Sequence, residues 1–237
     1  MKGDCTPLFG LDVRRARFNT RLSRFSGQAQ LDGEKLVLHI TNTGKLTDLL
    51  VEGAEILYIP KKSHKTAGTL VGVVVGEHAA LIDTRLQSKA FETAFNNGLI
   101  QWLKGLKMVG REVVVGKTRL DYVFADERGG KTFVELKSAV YLREDGAAMY
   151  PDTVSMRGRR HIQLLESLRK QNPSIIVFVA AHPLAKFFTP CDEGDPKIRK
   201  LLLKAAEAGV EVRAVKTHMD VFGTVYWCSS NLPVFLT

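Results

Sequence analysis

Three residues in the middle of the chain have types and a spacing suited to phosphate chemistry: Asp121, Glu135 and Lys137. The segment from Asp121 to Lys137 reads as two strands around a loop whose Gly129-Gly130 supplies positive φ. If the hairpin is symmetric about Arg128, Asp121 faces Glu135 across the ladder. Cβ atoms there are only ~5 Å apart, and two like charges repel unless a cation neutralises them. Lys137 follows Glu135 by two residues and shares its face, while Val134 and Leu136 point to the other. Two carboxylates suit Mg²⁺ or Mn²⁺, which would hold a phosphate oxygen and acidify a bound water. Lys137 would orient that nucleophile, and the reaction class is phosphodiester hydrolysis. The same triplet also suits the wet face of an ordinary hairpin, with Lys137 simply pairing Glu135; Val123 and Phe133 on that face make this less natural.

A helix predicted over residues 153–171 adds two polar groups. Arg157 and His161 stand at i, i+4 and head a stripe continued by Leu164, Leu165 and Leu168. Burying them is costly unless they reach a site, where Arg157 would contact a phosphate and His161 orient a ligand or water. Taken singly, His161 also fits a core-edge histidine bonded to a carbonyl. Arg159 and Arg160 are expected in solvent.

Two kinds of element must position these residues. Up to about Asp83 the apolar runs are short and broken by turn residues such as Asp32-Gly33 and 42–44, the pattern of a small antiparallel barrel or sandwich. From Thr84 the period becomes helical, with Leu86, Ala90, Phe91, Ala94 and Phe95 on one stripe and Asn97-Gly98 as a C-cap. Strands are predicted over 109–115, 120–125, 131–136, 174–181 and 210–215, the last of them clear, and a further helix over 196–208. Alternation of this kind predicts an α/β domain with a mixed sheet covered by helices. The boundary is placed between residues 1–83 and 84–237.

The chain has 237 residues and a formal charge of +9. A basic balance suits a polyanionic partner, though it also serves solubility. Arg14, Arg15, Arg17, Arg21 and Arg24 crowd one segment with Phe18 and Phe25, and Lys61, Lys62, His64 and Lys65 crowd another. Such cations neutralise phosphates, and exposed aromatics stack on bases for ~1 to 3 kcal/mol each; both phenylalanines are nevertheless expected in the core. Cys5, Cys191 and Cys228 are odd in number and scattered, predicting neither a disulfide framework nor a zinc site, and hence a reducing interior. No apolar run approaches the roughly 18 residues of a membrane span, so a cytoplasmic protein without membrane partners is expected.

The chain resembles the sugar fermentation stimulation protein A family. The resemblance rests on Val13-Arg14-Arg15 with Arg17-Phe18, Asn42-Thr43-Gly44, Leu120-Asp121-Tyr122, Glu135-Leu136-Lys137-Ser138, and Tyr150-Pro151-Asp152 followed by Arg157-Gly158 and His161. It implies an OB-like barrel that binds DNA, followed by a domain similar to PD-(D/E)XK nucleases. It places the two acidic ligands on Asp121 and Glu135 and the lysine on Lys137, with Asp152 near the site. A glutamate from the first helix, Glu92, is the candidate third ligand. Asn42, Thr43 and Gly44 are expected to line the domain contact or the DNA path. Tyr150 and Met156 depart from the family pattern without removing a ligand. The function expected is a DNA-binding, Mg²⁺- or Mn²⁺-dependent nuclease. The alternative is a non-catalytic DNA-binding regulator of sugar-metabolism genes with a vestigial nuclease fold; RNA as partner and a homodimer stay open.

Overall fold

The computed structural model describes residues 5–61 and 65–237. Its strands in the first part are β1 (Thr6–Gly10), β2 (Arg14–Ser23), β3 (Ser26–Leu31), β4 (Glu34–His39), β5 (Glu55–Pro60), β6 (Gly68–Val75) and β7 (His78–Leu81). Helix α1 (Thr84–Asn96) comes next, then β8 (Lys107–Val115), β9 (Thr118–Ala125), β10 (Lys131–Ser138), β11 (Tyr141–Leu142) and β12 (Ala147–Tyr150). The chain ends with α2 (Met156–Leu168), β13 (Ser174–Ala180), β14 (Phe187–Pro190), α3 (Pro196–Glu207), β15 (Glu211–Asp220) and β16 (Thr224–Leu232).

Strands β2 to β6 close a five-stranded barrel of the OB-like kind. β2 pairs with β3 and β5, β3 with β4, β5 with β6, and a short parallel ladder of β4 with β6 closes the ring. Asp32 and Gly33 have φ of 51° and 86°, the left-handed pair that a two-residue hairpin turn requires. At the closure, a Cβ on Gly68 would lie 2.3 Å from the Ile59 carbonyl oxygen, so only glycine lets the strands meet there.

The second part is the expected α/β fold, a mixed sheet covered by helices. Its mixed sheet runs β8-β9-β10-β13-β15, with β10, β13 and β15 parallel and the β8–β9–β10 meander antiparallel. Strand β13 is a continuous apolar run because both its faces are covered. On one face, Tyr122, Phe124, Val134, Val177 and Val179 join Ala90, Phe91 and Ala94 of α1 and the barrel residues in one core. On the other, Val123, Phe133, Ile176 and Phe178 pack against Ile162 and Leu165 of α2 and Ile198, Leu202 and Ala205 of α3.

Asp83 caps α1, its carboxylate accepting from the Arg85 and Leu86 amides, and Gly98 closes the helix at φ 69°. Helix α2 is shorter than the predicted 153–171 because Ser155, accepting from the Gly158 amide, caps it at Met156. The chain does not stop making sheet at Val215: β15 runs on to Asp220 and returns as β16. β1, expected within the first domain, pairs with β16. That pairing joins Cys5 to Cys228 in a disulfide, correcting the expectation of unpaired cysteines; only Cys191 is free. Among the described residues no helix is long and apolar enough to cross a membrane.

Candidate functional site

The hairpin of β9 and β10 turns at Asp126, whose carboxylate accepts from the amides of Arg128 and Gly130 while Gly129 sits at φ 82°. This tight loop sets the register Lys131↔Ala125 through Val134↔Tyr122. One residue further, Asp121 and Glu135 cross-brace each other's strands. The Asp121 amide donates to Glu135 Oε2 at 3.1 Å, and the Leu136 amide donates to Asp121 Oδ2 at 2.7 Å. Lys137, on the same face as Glu135, places Nζ 2.5 Å from its Oε1.

Helix α2 brings the fourth group. His161 is 2% exposed, and its Nδ1 bonds Glu135 Oε1, while its Nε2 accepts from Arg157 Nε at 3.3 Å. This fixes the tautomer with the proton on Nδ1. Burial pushes His161 below the usual histidine range, so the ring is neutral at pH 7; its partner is a carboxylate rather than a carbonyl. The helix is held in place by a contact that charge alone did not reveal. Arg159, expected in solvent, makes a two-pronged ion pair with the buried Asp195, which also accepts from the Ser155 and Lys197 amides. The N-termini of α2 and α3 are thereby tied together.

The electrostatics are asymmetric. Burial and the charge of Glu135 raise Asp121 to about 6, against the pull of Lys137, the Leu136 amide and Arg157. Burial also works against the charge on Glu135, but Lys137 and His161 outweigh it and hold that carboxyl below its ordinary value. Lys137 is likewise opposed by burial and ends raised because Glu135 is beside it. The result is an ion pair, Glu135 with Lys137, next to a carboxylate that ionises reluctantly.

Glu92 does not join this group. Helix α1 packs on the Tyr122 face, with Phe91 and Tyr122 rings 5.6 Å apart, whereas Glu135 and Lys137 face α2. Glu92 Oε1 accepts from the Tyr122 hydroxyl at 2.8 Å and pairs with Arg111 at 2.6 Å. Among the described residues, Glu92, Asp121 and Glu135 do not all three lie within 4.8 Å of one another.

Residues 42–44 form the seam between barrel and α/β fold. Asn42 is buried, its Oδ1 accepting from the Gly44 amide and its Nδ2 donating to Ser138 Oγ at 3.2 Å. Asp152 accepts from the Leu46 amide at 2.7 Å, and a Cβ on Gly44 would lie 2.6 Å from its carboxylate. Sequence reasoning singled out Asp152, Gly44 and Ser138 through the family pattern but had no signal for Asp195, whose ion-pair partner Arg159 is 36 residues away.

Of the cationic cluster, Arg14, Arg15 and Arg17 are exposed on β2 and Lys61 and Lys65 are exposed nearby in sequence; Lys62 and His64 lie outside the described residues. Arg15 pairs with Glu55 at 3.0 Å and Arg17 donates to the Gly53 carbonyl at 3.1 Å. Arg21 corrects its assignment to the surface cluster. All five of its N–H donors meet carbonyl oxygens, those of Ser23, Arg24, Asn42, Gly44 and Lys45. Phe18 is core, but Phe25 is 54% exposed. An open groove of about 940 Å³ runs past Arg24, Thr43, Lys45, Thr153 and Val154.

Two family models match the chain in order: the SfsA N-terminal OB domain over residues 20–82 and the sugar fermentation stimulation protein RE domain over residues 85–222. The chain belongs to the sugar fermentation stimulation protein family. A sugar fermentation stimulation protein homolog of Pyrococcus furiosus is 42% identical over 211 residues, covering 89% of this chain and 91% of its own. A homolog of Archaeoglobus fulgidus is 37% identical, covering 91% and 93%. Among solved structures, that of Pyrococcus furiosus SfsA in complex with Ca²⁺ matches with a TM-score of 0.91 at 40% identity, over 97% of this chain and 99% of that one.

Proposed function

We propose that this SfsA-family chain is a cytoplasmic DNA-binding protein whose residues 84–237 carry a divalent-metal-dependent, phosphodiester-hydrolysing site, with residues 1–83 supplying most of the nucleic-acid surface. The observation that carries the reading is the reciprocal crossing of Asp121 and Glu135 between β9 and β10, with Lys137 on the same face. The donor set fits a hard cation: two carboxylates on adjacent strands, one of them poorly neutralised by the protein itself. Asp121 and Glu135 would hold it. The Pyrococcus furiosus relative, described in complex with Ca²⁺, supports a hard-cation site, and Mg²⁺ or Mn²⁺ is the working ion proposed here. Such an ion supplies a bound water of lowered pKa and stabilises charge on a phosphate.

The protein groups do the rest. Lys137 presents a positive charge to the reacting phosphate and its nucleophile. Neutral His161 holds Glu135 Oε1 in place and is itself oriented by Arg157. Arg157, the outermost of these, has further guanidinium donors to engage a neighbouring phosphate. Arg14, Arg15, Arg17, Lys61 and Lys65 offer phosphate contacts on the barrel, and Phe25 a stacking surface.

A second reading, a non-catalytic DNA-binding regulator, is favoured by one observation: the charge of Glu135 is already balanced by Lys137, with His161 hydrogen-bonded to the same oxygen. Incubation with single- and double-stranded DNA and with RNA, in Mg²⁺ or Mn²⁺, separates the two. Cleavage by the wild type that falls at least ~100-fold in Glu135→Gln and in Lys137→Ala is the expected result. Cleavage unchanged in both variants would refute the site. Tight DNA binding with no cleavage of any substrate would establish the regulator instead.

A further inference from the structure

Strands β15 and β16 and the residue just before β1 bring together a second cluster of ligand atoms. β1 runs antiparallel to β16 with Thr6 opposite Trp227, so the next step of the ladder sets Cys5 against Cys228. Strand β15 lies on the other side of β16, with His218 opposite Tyr226. As a result His218 Nδ1 stands 3.2 Å from Cys228 Sγ, and the two sulfurs and the imidazole nitrogen all lie within 4.8 Å of one another.

We propose that Cys5, Cys228 and His218 are a thiol-gated site for a borderline-soft divalent cation, Zn²⁺ in the first instance, empty while the disulfide is closed and competent once it is reduced. Tetrahedral zinc places thiolates at ~2.3 Å and an imidazole nitrogen at ~2.0 Å, so its ligand atoms sit about 3.5 Å apart. The Cys228–His218 spacing is already close to that. The two sulfurs part once their bond is reduced, a rotation open to Cys5 because it precedes the first strand residue. His218 is buried among His78, His182, Lys216 and Asp220. Its ring meets the His78 ring edge-on with centroids 4.7 Å apart and stacks on Tyr226 at 5.7 Å.

The chemistry balances in two steps. A dithiol reductant transfers two electrons and two protons to the disulfide, is itself oxidised to a disulfide, and leaves Cys5 and Cys228 as thiols. The cation then takes both as thiolates with neutral His218, releasing two protons and keeping a fourth position for water. Soft ligands separate this site from the hard-oxygen site of Asp121 and Glu135, so occupancy of one does not imply the other.

Co²⁺ is the probe, titrated into the full-length reduced protein with millimolar Mg²⁺ present to occupy the carboxylates. A thiolate-to-cobalt charge-transfer band saturating at one equivalent, bleached by Zn²⁺ and absent from the disulfide form, is expected. Glu135→Gln should keep the band; Cys5→Ser with Cys228→Ser should lose it. The wild type gives an independent readout. Zn²⁺ should slow iodoacetamide labelling of Cys5 and Cys228 in the reduced protein at least tenfold, read by mass spectrometry. A reduced wild type that gives no thiolate band, or whose two cysteines are labelled equally fast with and without Zn²⁺, overturns the proposal.

Discussion

Asp121 and Glu135 differ in what the protein does for them. Glu135 receives Lys137 and the His161 ring, whereas Asp121 receives one backbone amide and the repulsion of its neighbour. A carboxyl raised from its ordinary value to about 6 favours the folded state below its unfolded pKa. That advantage is lost as pH rises from about 4 to about 6, a cost on the order of 3 kcal/mol once the group is fully ionised. In EDTA at pH 8, Asp121→Asn is therefore expected to raise Tm by a few degrees, since 1 kcal/mol moves a chain of this size by about 2 to 4 °C. At pH 5, midway through that window, the gain should fall to roughly half, and it vanishes only below about pH 4. Thermal melts at the two pH values check this, and a variant less stable than wild type at pH 8 would show that the repulsion is already relieved. The carboxylate crossing was legible in the sequence because strand alternation and a glycine turn fix it locally. The role of Arg21 was not, since its acceptors are backbone carbonyls that any sequence provides.

At the level of elements, the same logic sorts the arginines of β2. Arg14 and Arg15 point to water, while Arg21 ties β2 to the turn at residues 42–45, which in turn carries Asn42 to Ser138 and the Leu46 amide to Asp152. Removing Arg21 leaves two partly buried carbonyls, those of Asn42 and Gly44, without donors, each costing ~1 to 3 kcal/mol less whatever water replaces. Arg21→Ala is thus expected to destabilise the chain by about 2 to 4 kcal/mol in urea melts. Arg14→Ala with Arg15→Ala should stay within ~0.5 kcal/mol of wild type yet weaken DNA binding and flatten its salt dependence by about one unit of slope per lost contact. If the pair left the salt slope untouched, the DNA face would have to be sought elsewhere on the barrel. The helices and the β8 to β10 meander were readable because their periods are local. β16 was not: its polar stretch Ser229-Ser230-Asn231 breaks the alternation, and its partner β1 lies at the other end of the chain. The disulfide escaped for the same reason, its cysteines being 223 positions apart.

At the scale of the whole molecule, the barrel and the α/β sheet share more than a seam. β7 pairs with β6 on one side and β15 on the other, so among the described residues one thirteen-stranded hydrogen-bonded sheet runs through both. Phe18, Leu38 and Tyr58 of the barrel belong to the same buried cluster as Tyr122 and Val177 of the sheet. Interfaces between separable domains resemble transient contacts and let each part melt on its own; here, opening the barrel strips apolar cover from the sheet. The termini are also held to the sheet, β1 through β16 and the Cys5–Cys228 link. The oxidised protein is therefore expected to unfold in a single calorimetric transition whose measured enthalpy equals the van't Hoff value, although the chain is of two-domain size. Two resolved transitions, with residues 84–237 alone reproducing the upper one, would mean that the continuous sheet does not couple the two parts. The site would then depend on the barrel for DNA alone and not for its shape.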